Sequence, residues 1–134
     1  MVLPLVLALL IPQDPAAAIL GRWEGTSICI KAEWNRACHD EIVRYEVVRD
    51  TAHAGLFIHH AYKRVGAEWE WMGDVTLHYD STGHRWAGDW SNSRVHIEWS
   101  FWPQGADLAG QLLVYPDMRK ARDVRVHRPV APTG

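Results

Sequence analysis

The stretch RVHIEWSFW, residues 94–102, decides the fold. Val95, Ile97, Trp99 and Phe101 alternate with Arg94, His96, Glu98 and Ser100. A period of two is the period of a strand, and it gives one buried and one wet face. Antiparallel sheets carry such faces, whereas parallel sheets are apolar on both sides. Ser91-Asn92-Ser93 precedes the stretch and PQGAD, residues 103–107, follows it. Turn formers therefore bound it at both ends.

The same pattern extends in both directions. Strands are expected over 21–30, 41–49, 56–65, 68–79, 84–90, 94–102, 108–115 and about 120–128. Gly66-Ala67, DSTG at 80–83 and Pro116-Asp117 supply turns between them, and Gly73 marks a bulge or kink inside the fourth. The connections are short, so consecutive strands pair as an antiparallel meander. Eight such strands lose their exposed edges by closing into an up-and-down barrel. The fold class is all-β, an eight-stranded antiparallel up-and-down barrel, with a two-sheet sandwich as the alternative.

The N-terminus reads MVLPLVLALLIPQDPAAAIL. Its apolar run, Val2 to Ile11, falls short of the roughly 20 residues that span a membrane. It has the length of a signal-peptide apolar region, and Ala16-Ala17-Ala18 suits the small-residue cleavage rule. No Lys or Arg precedes the run. We expect a signal peptide over 1–18, a barrel over 19–128, a loose tail over 129–134, and a secreted or periplasmic protein. The 134-residue chain has 14 basic and 16 acidic residues. So even a balance leaves no footprint for nucleic acid. No polybasic segment suggests a membrane surface, and no stable membrane insertion is expected.

Cys29 and Cys38 are the only cysteines. The spacing is neither a zinc pattern nor a Cys-x-x-Cys redox pair. In an exported domain it reads as a disulfide closing a loop of about ten residues, worth on the order of 2–3 kcal/mol.

Gly21-Arg22-Trp23 opens the first strand. This Gly-x-Trp resembles the opening motif of lipocalins and the wider calycin group. The resemblance implies that Trp23 plugs one end of the barrel. It also implies that an Arg of the last strand, Arg122 or Arg128 by strand parity, packs over it. The chain is also similar to small secreted bacterial proteins that share a longer pattern. Here that pattern is GRWEGTSIC at 21–29, CHDE at 38–41 with Tyr45 following, and MGD at 72–74.

Eight tryptophans are the most distinctive feature of the composition. Period two puts Trp69 and Trp71 on one face of their strand, Trp86 and Trp90 on one face of the next, and Trp99 with Phe101 on one face of the third. Facing inward, they line one wall of the barrel. They either fill it as core or leave a pocket for an apolar or planar ligand. Candidate ligand-binding residues are Tyr45, Trp71, Trp86, Trp99 and Phe101, with His59 as a polar anchor. His59 and His60 point to opposite faces, and both faces of their strand are apolar, so which one points inward stays open.

His78 and His84 flank the 80–83 turn, where solvated side chains are the simpler reading than a metal site with Asp74 or Asp80. His39-Asp40-Glu41 suits turn hydrogen bonds and a partner for Arg22 or Arg36 better than acid–base work. No serine sits in a nucleophile elbow, and no phosphate loop or zinc motif occurs. The sequence implies no cofactor, no metal and no catalytic constellation. The expected function is binding of a small hydrophobic or aromatic molecule in a tryptophan-rich barrel. The alternative is a filled barrel that acts through its surface as an interaction module of the bacterial envelope.

Overall fold

The computed structural model describes residues 14–30 and 38–130. The apolar run at 2–11, Trp34, Arg36 and residues 131–134 of the expected tail lie outside the described residues. Eight strands follow in chain order: β1 (Gly21–Cys29), β2 (Glu41–Arg49), β3 (Leu56–Val65), β4 (Glu68–Asp80), β5 (Arg85–Ser91), β6 (His96–Gln104), β7 (Asp107–Val114) and β8 (Arg119–His127). Each pairs antiparallel with the next, and β8 returns to β1, so the sheet is a closed up-and-down barrel and not a sandwich. The architecture is consistent with a lipocalin-like fold.

The strands form where alternation and turn chemistry agree. Pro103 does not end β6, as its position suggests it should. The strand runs on to Gln104, and Pro103 pairs with Leu108. The ladder to β5 has already stopped at Phe101–Trp86. Beyond that point one side of β6 has no partner strand, so a missing N–H interrupts nothing there.

One half of the barrel is filled. Trp23, Tyr45, Val47, Leu77, Trp86, Phe101, Leu108 and Val126 are buried and form one cluster. Segment Pro15–Ala18 makes a 3-10 turn capped by Asp14 and lies across this end. Ala16 and Ile19 are buried in the same cluster, and Trp23 Nε1 donates to the Ile19 carbonyl at 2.8 Å. The residues expected to end a leader, Asp14–Ala18, are thus packed against the barrel.

Arg128 finishes this closure. Its guanidinium lies 3.8 Å from the Trp23 ring centre and donates to the carbonyls of Leu20 and Ala17. Gly21 is required beneath it: its φ is +106°, and a Cβ there would meet Arg128 Nη1 at 2.8 Å. Arg122, the other arginine of matching parity, is at the opposite end of the barrel. It donates to Ser27 Oγ at 3.1 Å and to the His39 carbonyl at 3.0 Å, and pairs with Glu41. Among the described residues Glu41 thus has Arg122 as its partner and not Arg22, while Arg36, the other expected partner, lies outside them. This placement also removes Arg122 from the tryptophan plug. The Cys29–Cys38 disulfide is formed at the same end, and Asp40 accepts from the Cys29 N–H at 2.9 Å.

Candidate functional site

Strand parity sets which side chains reach the interior. Partners directly opposite in a ladder share a face. Val47–His59–Val75 is one such row, and Tyr45–Ala61–Gly73 is the next. His59 therefore points inward and His60 outward, which settles the ambiguity of that strand. The imidazole of His59 lies among rings, 4.3 Å from the Tyr45 centroid and 4.8 Å from that of Phe101. It is 2 % exposed. Neither ring nitrogen has a hydrogen-bond partner among the described residues.

Burial is the main reason that the His59 pKa falls from 6.5 to about 3, with the neighbouring His60 adding to the effect. The ring is neutral at physiological pH. Burial also raises Tyr45 above its ordinary value, helped by the Glu41 carboxylate.

A recess of about 200 Å³ lies against His59. Ala61, Val75, Trp90, Ile97 and Trp99 form its apolar lining, and Met72, Gly73 and Asp74 bound it on β4. Trp99 stacks on Phe101 with planes 7° apart, so the lining continues into the core. An apolar cavity of about 150 Å³ is known to hold benzene. The recess is open on one side, so it takes one or two small rings and lets the rest of a larger molecule protrude. It is below the roughly 300–1,000 Å³ of drug-sized pockets.

The candidate residues separate accordingly. His59 and Trp99 line the recess. Tyr45, Trp86 and Phe101 are packed in the core below it. The Trp86 Nε1 finds no acceptor among the described residues. Trp71 is not in the wall at all: it is 60 % exposed on the outer face.

The reason is a one-residue bulge. Ala61 pairs with Gly73, but Tyr62 pairs with Trp71, and Met72 is skipped. Gly73, with φ +142°, accommodates it. A shift of one residue sends every later side chain to the other face, so Trp69 and Trp71 both leave the interior. Trp69 instead lies beneath the guanidinium groups of Arg44 and Arg64. Trp90 and Ile97 were not among the candidates, although their parity with Trp86 and Trp99 was visible.

Outside the bulge, Asp74 Oδ1 receives Trp71 Nε1 at 2.9 Å and meets His60 Nδ1 at 2.8 Å. Partial burial pulls the Asp74 pKa upward, but these two hydrogen bonds outweigh it and hold the carboxyl below its usual range. A second outer cluster joins Asp89, His96 and Tyr115. His96 Nε2 is 3.0 Å from Asp89 Oδ2, the Tyr115 hydroxyl donates to the same oxygen, and the two rings stack.

Asp80 accepts from the Thr82 and Gly83 N–H groups and from Arg85, closing its turn. Among the described residues no group of three or more His, Cys, Asp or Glu is placed to hold a metal ion. Two larger depressions, about 300 and 450 Å³, are found elsewhere, one beside Trp102 and Asp123, the other at the barrel end beside Glu41 and Lys63. Neither has a buried unpartnered polar atom among its lining residues.

No family model, curated protein or solved structure matches the chain.

Proposed function

We propose that this barrel binds a small apolar or aromatic molecule in the recess beside β4, with His59 as its polar anchor. The observation that carries the reading is the buried, neutral imidazole whose two nitrogens have no partner among the described residues, at the edge of an apolar space. An unsatisfied buried polar group costs about 1–3 kcal/mol. A ligand that supplies the missing hydrogen bond recovers part of that cost, while Trp99, Ile97 and Val75 receive its apolar surface. The disulfide suits an oxidising, extracytoplasmic setting, and no helix among the described residues is long and apolar enough to cross a membrane.

Titration with N-phenyl-1-naphthylamine, followed by probe and tryptophan fluorescence, tests the proposal. Saturable binding is expected in the intact protein. Ala61→Phe fills the recess and should abolish binding while the circular dichroism stays that of a barrel. A second reading, an envelope interaction module, rests on the exposed Trp71 and Met72. Binding that survives Ala61→Phe but is lost in Trp71→Ala would favour it.

A further inference from the structure

The ladder between β4 and β5 is the shortest in the barrel. It covers only His78–Ala87, Tyr79–Trp86 and Asp80–Arg85, whereas β3 and β4 stay paired from Leu56–His78 to Val65–Glu68. The strands make one more close approach, at Gly88. A Cβ there would come within 2.0 Å of the Thr76 carbonyl oxygen, so only glycine lets the backbones pass so closely. Beyond it, Met72–Val75 on β4 and Asp89–Ser91 on β5 continue without pairing to each other. The recess lies against this gap, with Gly73, Asp74 and Val75 on one side, Trp90 on the other, and His59 behind.

We infer that the ligand enters through the side of the barrel, between β4 and β5, and that Asp74 at this gap turns away anions, so that the ligand is an uncharged ring compound. The inference rests on the reading of the recess as a binding site. Passage through the gap breaks no ladder hydrogen bond, because none joins the strands there. The neighbouring barrel end is crossed instead by Arg122, which ties β8 to Ser27 of β1 and to His39 and Glu41 at the start of β2.

An anionic compound at the gap meets the Asp74 carboxylate, which stays ionised on its bonds from Trp71 and His60. It must then shed water against Ile97 and Trp99, with no cation among the side chains lining the recess. The neutral imidazole of His59 offers one donor and one acceptor. A ring carrying a hydroxyl, amine or amide meets that offer without a charge.

Two probes with one ring skeleton test the selectivity. N-phenyl-1-naphthylamine is uncharged, and 8-anilino-1-naphthalenesulfonate adds a sulfonate. The uncharged probe should bind at least about tenfold more tightly, and Asp74→Asn should narrow the difference several-fold. Equal affinities, or a difference that Asp74→Asn leaves unchanged, overturn the role of Asp74.

The route is read from stopped-flow rates. Thr76→Cys with Ser91→Cys, bridged by a short bis-maleimide, should slow association of the uncharged probe about tenfold relative to the unbridged protein. Trp90→Ala opens the lip and should raise the association and dissociation rates together. A dissociation rate that rises alone, with bridging ineffective, overturns lateral access. Failure of the unmodified protein to bind the uncharged probe sinks the binding reading itself, and the inference falls with it.

Discussion

Arg128 lies over Trp23, its guanidinium carbon 3.8 Å from the indole centre, with the Leu20 and Ala17 carbonyls as its hydrogen-bond acceptors. One side chain from the end of the chain thereby fastens the N-terminal 3-10 turn to the first strand. Partial burial lowers the arginine's pKa somewhat, but a guanidinium stays charged at any pH at which the protein folds. Arg128→Ala should lower unfolding free energy by about 1–3 kcal/mol in urea denaturation. Arg128→Lys should recover only part, because an ammonium cannot lie flat on the ring.

The same contact predicts the effect of shortening the chain. A protein that begins at Ile19 loses the buried Ala16, the Ala17 acceptor and the Asp14–Arg49 ion pair. The exposed ion pair contributes little. The lost packing should lower the thermal midpoint measurably relative to a chain that begins at Asp14, by about 1–2 kcal/mol in stability.

His59 gives a pH dependence with a definite sign. Its pKa is 6.5 in the unfolded chain and about 3 in the barrel. Between those values the unfolded chain binds more protons, so stability falls as pH falls. The contribution is complete above pH 6.5 and is lost progressively toward pH 3. At pH 5 the loss is about 2 kcal/mol. In His59→Phe the decline in unfolding free energy from pH 7 to pH 5 should be shallower by about that amount. A slope equal to that of the parent protein would show that His59 is already protonated or exposed in the native state.

Trp99 and Trp71 should behave oppositely. Trp99→Ala removes a wall of the recess and should weaken N-phenyl-1-naphthylamine binding about tenfold or more. Trp71→Ala takes away an exposed ring outside the barrel and should change affinity by less than about twofold. Isothermal titration of the two variants separates the inner wall from the outer face.

Gly88→Ala places a methyl group on the Thr76 carbonyl. Two backbones cannot both give way there, so a loss of about 2–4 kcal/mol is expected. Gly55→Ala faces open space but has φ +83°, and its cost should stay near about 1 kcal/mol. Chemical denaturation of both variants compares a steric clash with backbone strain alone.

The sequence by itself determined the strands and their antiparallel order, because alternation and turn chemistry are local properties and short connections force neighbours to pair; closure into a barrel instead of a sandwich was decided by the pairing of β8 with β1. The sequence also determined the Cys29–Cys38 pairing, since no other thiol is present. Only the tertiary structure decided what faces the interior. Alternation gives two faces without naming the inner one, so His59 and His60 were indistinguishable until the ladder with Val47 and Val75 oriented them. The skipped Met72 then reversed Trp69 and Trp71, because a single unpaired residue in a period of two exchanges the faces beyond it. Arg122 and Arg128 share parity but end at opposite rims, since six residues along a strand carry a side chain about 20 Å. The recess arises where β4 and β5 stop pairing beyond Gly88, and that separation depends on how two backbones cross, which no pattern along a single strand records.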